Sequence, residues 1–305
     1  GESRGVLAGC EVTGFPEGMA ALEIEHDSGC EVHRNAIHGN RGAGVRVSSR
    51  AWVKLEANEI HGNKQAGLVV DGDAPPRVTG NTLHGNGGGG IVIKGSARGT
   101  YADNTVFACG QSGIAIADVA APTLVNNRVH GNQGAGVAIG GKAQGTAQGN
   151  SVVGNTGPGV TVSAYAQTVL EENNIHANGQ SGVMVWGHAR PTFLRNSIHD
   201  NAAAGVVMGE DCACTFSRNS VFGNATVGMV IGDAARGVVA DNDVYENNVG
   251  VAIKGDASPE FHSNNLRNNK EGGLEAPDER VGTYMQSNHC YKNNTAAGED
   301  NCVIM

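Results

Sequence analysis

The chain has 305 residues, a formal net charge of −9 and a pI near 5.6, which argues against nucleic acid or an acidic polymer as a general partner. Hydrophobic residues make up 39% and aromatic residues 4%, enough for a narrow aliphatic core and too few rings for an aromatic one. No apolar run reaches membrane-spanning length or has the form of a secretory hydrophobic segment.

Residues 1–30 are an irregular start. Leu22 and Ile24 still align with the later pair Val45 and Val47, so a first turn exists there. Gly1 in place of Met, and the lack of a polar cap, lead to the expectation of a fragment cut from a longer protein.

From Asn35 onwards the chain repeats. Asn35 returns every 23 residues as Asn58, Asn81, Asn104 and so on to Asn242, then as Asn264 and Asn288 after one-residue slips. Gly44 returns at the same step through Gly228. A fixed period of this size means a solenoid. Within each repeat the apolar residues alternate over short runs, such as Val45 and Val47 or Leu68 and Val70, with further apolar positions at Ile37 and Leu55. That is the strand signal, three times per turn. It predicts an all-β fold: a right-handed, three-sided parallel β-helix of about twelve coils of 23 residues.

Three columns mark the corners. Asn is expected to occupy the left-handed region and to form a ladder of side-chain amides from coil to coil. The Gly44 column is expected to supply positive φ. Ala51, Ala74, Ala97 and their successors mark a corner where only a small side chain fits, with Cys212 the exception. Residues 1–293 read as one β-helical domain. Pro277, the run Asp278-Glu279-Arg280 and Cys290 at a core position suggest a closing coil, and residues 294–305 a flexible tail.

Chemistry is sought where charges gather on one face. Asp71 and Asp73 stand near Lys94, and Asp118, Glu210 and Asp233 share a column, but small residues separate them. They read as corner residues rather than a catalytic pair. His38, His61, His84, His130, His176 and His199 share an outward column with Phe107, Phe222 and Tyr245. A position that accepts Phe and Tyr asks for a stacking ring, so no metal is assigned. Val69, Val92, Met184, Val207 and Val230 lie between the inward residues of one strand and are expected to form an apolar outward strip, a candidate partner surface. The seven cysteines show no metal-finger spacing, and Cys212-Ala-Cys214 is too little to assign a zinc or redox site. Their odd number suits a reducing compartment.

The tetrapeptide Cys302-Val303-Ile304-Met305 has the form of a prenylation box. It predicts a covalent farnesyl or geranylgeranyl group on Cys302 and no other cofactor. It also predicts three partners: a prenyltransferase, a soluble prenyl-binding carrier and an intracellular membrane. Localisation follows as the cytosol and the cytoplasmic face of membranes, the mitochondrial surface being one candidate.

The repeat N-x-[IV]-x-x-N-x-x-x-G-[VI]-x-[VI] resembles the β-helix repeats of carbohydrate-binding and sugar-hydrolase-like proteins. Repeats followed by a prenylation box resemble the C-terminal part of the family that joins an F-box to a long β-helix, the F-box only protein 10 family. That resemblance implies a non-catalytic substrate receptor of an SCF-type ubiquitin ligase. Its partners would be proteins destined for ubiquitination, regulators of apoptosis among them, and an SCF adaptor bound through an F-box that this chain lacks. The alternative is a carbohydrate-binding or carbohydrate-modifying β-helix.

Overall fold

The computed structural model describes residues 4–293 and the backbone of 303–304. The chain divides into two compact units, Gly1–Thr156 and Gly157–Met305. Each is a three-sided parallel β-helix, and the protein as a whole is all-β, right-handed and built from about 12 turns of about 23 residues.

In the first unit, sheet A runs from strand Arg4–Ala8 to Thr146–Gln148, sheet B from Glu11–Thr13 to Ser151–Val153, and sheet C from Leu22–Ile24 to Val137–Ile139. In the second, sheet A runs from Val169–Glu171 to Glu260–His262 and sheet B from Asn174–His176 to His289–Tyr291. Sheet C there starts at Val160–Val162, and Val303–Ile304 pairs in parallel beside its strand Gly272–Glu275. Pairing joins residues one repeat apart, such as Val78 with Tyr101 and Ile91 with Ile114. Parallel pairing in constant register turns each sequence column into a physical stack. The inward columns are buried throughout, as at Ile37, Val45, Leu55, Ile91 and Phe193. The Ala51 column is fully buried, and Cys212 sits in it equally buried.

The Asn ladder exists, and its side chains are hydrogen-bonded both to the next coil's Asn and to backbone. Asn104 Nδ2 donates to Asn127 Oδ1 at 2.9 Å and to Val78 O at 3.0 Å, while Asn104 Oδ1 accepts from the amide and side chain of Asn81, both at 3.0 Å. A second ladder, the Asn40 column, does the same at the next corner, as in Asn63 Nδ2 to Asn86 Oδ1 at 3.0 Å. Each bond contributes about 1 kcal/mol net, but an orphaned buried amide costs about 1–3 kcal/mol.

Two corner readings need correction. The left-handed residue is not the Asn but the one before it: Ala57, Asp103 and Asn126 have φ of 53°, 56° and 52°. Nor does the Gly44 column take positive φ. A Cβ on Gly90 would stand 2.2 Å from Val106 Cγ1 and 2.7 Å from Gly113 O. Glycine is there because the next coil leaves no room, which periodicity alone cannot distinguish from a φ requirement.

The strand pattern also hid a helix, Asp278–Ser287. Its charged first turn follows Pro277, and Val281 and Tyr284 are spaced for one helical face. It lies against strand Glu260–His262. The Tyr284 ring meets Phe261 edge-on at 5.6 Å, and Asn288 Nδ2 donates to Phe261 O at 3.0 Å. Arg280 donates to the carbonyls of Gly255 and Ala257. The helix thus occupies backbone acceptors that a sheet edge would otherwise expose.

Candidate functional site

Three outward faces can meet a ligand, one on each sheet. On sheet B of the first unit, His38, His61, His84, Phe107 and His130 stack with centroids 4.7–4.9 Å apart and planes within 1–13°. In the second unit His176, His199, Phe222 and Tyr245 do the same, with the Arg267 guanidinium 4.0 Å over the Tyr245 ring. The rings spend their faces on one another, so only edges reach solvent. Three imidazole edges are engaged: His38 Nε2 lies 2.9 Å from Glu11, His84 Nε2 3.1 Å from Glu59 and His199 Nδ1 2.8 Å from Asp200. Hydrogen bonding from His84 holds the Glu59 carboxyl below its ordinary range, while burial, with His84 adding to it, pushes His61 down. Among the described residues no group of three or more His, Cys, Asp or Glu side chains is placed to hold a metal ion.

On sheet C, Val69, Val92, Met184, Val207 and Val230 do point outwards, and each is half-buried. Val69 pairs with Val92, and Met184 with Val207, which pairs with Val230, so two short strips form. At Val92 the preceding corner lies close: a Cβ on Gly89 would stand 3.3 Å from Val92 Cγ2.

The acidic corner residues are explained by the backbone. Asp118 accepts from Gly95 N at 2.9 Å, Glu210 from Gly187 N at 2.9 Å and Asp233 from Glu210 N at 2.8 Å. Asp71 accepts from Gly72 N at 2.7 Å and lies 3.3 Å from Lys94. Cys212 and Cys214 face each other at 3.9 Å inside the core. Of the tetrapeptide read above as a prenylation box, Val303 and Ile304 form a strand, whereas Cys302 and Met305 lie outside the described residues.

Sheet A carries a cavity that none of the sequence columns announced. It has a volume of about 560 Å³, within the size range of small-ligand sites, and its lining includes Val6, Asp27, Gly29, Glu31, Arg50 and Trp52. Arg4, Gly29 and Trp52 are register partners on successive strands. Gly29 leaves the space into which the indole leans: a Cβ there would lie 3.6 Å from Trp52 Cε3. Trp52 remains 46% exposed. Beside it Arg50 Nε donates to Asp27 Oδ1 at 2.9 Å and its NH2 group to Asp27 Oδ2 at 3.1 Å, a planar fork that depresses the Asp27 pKa. The sequence signal was faint: an outward Trp, one of two in the chain, one coil after a Gly.

A family profile for the right-handed β-helix region matches residues 20–169 and 157–290. The chain belongs to the right-handed β-helix family. Among solved structures, this β-helix is similar to the A-module of the mannuronan C-5 epimerase AlgE6 of Azotobacter vinelandii, at 17% identity and a TM-score of 0.59, covering 88% of this chain and 81% of that one. It is also similar to the periplasmic alginate epimerase AlgG, at 13% identity and a TM-score of 0.56, covering 95% and 80%. A third likeness is the Dettilon tailspike protein, at 14% identity and a TM-score of 0.56, covering 90% and 62%. At such identities the likeness is one of fold. No curated protein matches the sequence.

The expectation of a non-catalytic receptor is corrected by these findings. Two of the structures that share this β-helix are named as carbohydrate-modifying epimerases, so the fold gives no ground for setting catalysis aside. Neither the family match nor the structural likenesses support the ubiquitin-ligase role.

Proposed function

We propose that this β-helix acts on carbohydrate, as a binding module or as a glycan-modifying enzyme, and that the sheet A cavity is a sugar subsite. The observation that carries this is the exposed Trp52 indole, laid over Gly29 with the Asp27–Arg50 fork beside it. A pyranose has an apolar C–H face and a rim of hydroxyls. An open indole face suits the first, and adjacent donor and acceptor groups suit the second. The stacked rings of sheet B offer no such open face, and the strips of sheet C offer no polar partners of this kind. The polysaccharide-modifying epimerases among the fold's likenesses point the same way.

A panel of oligosaccharides tests the reading, with binding followed by calorimetry and turnover by nuclear magnetic resonance of the sugar. Saturable binding of at least one class is expected. Binding with product marks an enzyme, and binding without product marks a module. A panel that leaves no heat and no product would sink the proposal.

A further inference from the structure

We infer that Cys212 and Cys214 form a two-thiolate site for a soft monovalent metal ion of the copper(I) class, buried in the core of the second unit. The site shares no residue with the sheet A cavity and stands whether or not that cavity takes a sugar.

Two columns break in the same coil. Cys212 replaces alanine between Ala189 and Ala235, and Cys214 stands between Pro191 and Gly237. Both side chains are fully buried, and their sulfurs face each other at 3.9 Å. The thiols of Cys10 and Cys109 turn instead to the carbonyls of Ala8 and Phe107. Alanine fills this corner in the neighbouring coils, so packing does not call for the extra sulfur of Cys212. The pair is also polarised. Cys214 donates to the Cys212 sulfur, which lowers the Cys212 pKa and raises that of Cys214, and burial raises Cys214 further. The backbone amides of Gly209 and Cys212 also favour a thiolate at Cys212.

A soft cation fits where the proton between the sulfurs sits. Thiolate bonds to first-row ions such as zinc are about 2.3 Å long, so two thiolates on one ion lie at most about 4.6 Å apart, and 3.9 Å is within that span. The number of ligands selects the ion. Structural zinc takes four, and among the described residues no group of three or more His, Cys, Asp or Glu is placed to hold a metal. Copper(I) is selected by soft thiolate ligands and is stable with two of them. Uptake breaks both S–H bonds and forms two sulfur–metal bonds. Two protons leave to solvent, no electron moves, and the site carries one net negative charge, which the amides of Gly209 and Cys212 offset. Entry is through the corner, where the exposed Glu210 and Asp211 directly precede Cys212.

The test uses the full chain, reduced and free of oxygen, with copper(I) supplied as its bicinchoninate complex, whose colour fades as the protein takes the ion. One equivalent is expected to pass to the parent chain, with a sulfur-to-copper absorption in the near ultraviolet and a raised melting temperature. Cys212→Ala restores the residue of the neighbouring coils and should fold as the parent does. That variant and Cys214→Ala should each bind the equivalent at least 100-fold more weakly and lose the copper-dependent rise in melting temperature. Both variants keep the other cysteines, which serve as the internal control. Copper that passes equally to parent and variants would mark adventitious binding at other thiols and overturn the site. So would a parent chain that leaves the complex fully coloured.

Discussion

The outward columns of sheets A and B in the first unit are built from the same repeat and end up with opposite properties. On sheet B the column His38, His61, His84, Phe107 keeps a ring at each of these coils, and the rings close on one another. On sheet A the column Arg4, Gly29, Trp52 changes size at each step, and a cavity opens beside the Trp. A regular column satisfies itself: rings stack on rings, amides bond amides, and nothing is left for a ligand. Binding capacity arises where the repeat is broken, because a missing side chain leaves its neighbour a face without a partner.

The strongest way to test that division is to add one methyl group in each kind of place. In Gly90→Ala the new Cβ would lie 2.2 Å from Val106 Cγ1 and 2.7 Å from a carbonyl oxygen, so the coils must part. A loss of about 3 kcal/mol is expected in denaturant unfolding. In Gly29→Ala the nearest atom is Trp52 Cε3 at 3.6 Å, an ordinary contact. Its stability should change by no more than about 0.5 kcal/mol while sugar binding at Trp52 weakens. Equal unfolding losses in the two variants would remove the distinction between the columns.

A smaller effect of opposite sign is expected where a regular column is broken inside the core. Cys109 stands in the second Asn ladder. Its amide still donates to Asn132 Oδ1 at 3.1 Å, but its thiol replaces a carbonyl acceptor and a side-chain amide donor. The amide and side chain of Asn86, which would donate to that carbonyl, meet the weaker sulfur acceptor instead, and Asn86 Nδ2 keeps its bond to Ile60 O at 3.0 Å. Cys109→Asn should complete the ladder and stabilise the protein by about 1 kcal/mol. A lowered unfolding midpoint would mean that the corner cannot take the larger side chain.

The smallest expected effect is a pH dependence on sheet B. His61 lies between His38 and His84, and its pKa is lowered chiefly by burial and then by the neighbouring His84 charge. A depressed folded-state pKa means that the unfolded chain binds the proton more readily. The stack's contribution is therefore full above the ordinary histidine value near 6.5 and falls as pH drops through the folded value. His61→Phe keeps the ring and removes the titration. Melting temperatures between pH 7.5 and 5 should fall less for this variant than for the parent chain. Parallel curves would show that the stack does not couple to protons.

The repeat by itself determined the all-β class, the three strands per turn, the pairing register and the Asn104–Asn127 contact. Identical residues at a constant step must lie above one another once strands pair in parallel, so a linear period becomes a spatial column with no further information. It also showed which columns hold rings and which hold small residues. Why a small residue is needed was decided only by the stacked coils: Gly90 is forbidden a Cβ by Val106 and Gly113, not by its own φ. The helix Asp278–Ser287 was likewise illegible, since a single ten-residue element has no partner repeat to compare with. So was the cavity. Asp27, Gly29, Glu31, Arg50 and Trp52 belong to two successive coils, and their juxtaposition needs the particular side chains as well as the register. Periodicity reports what recurs, and this site is made by what does not.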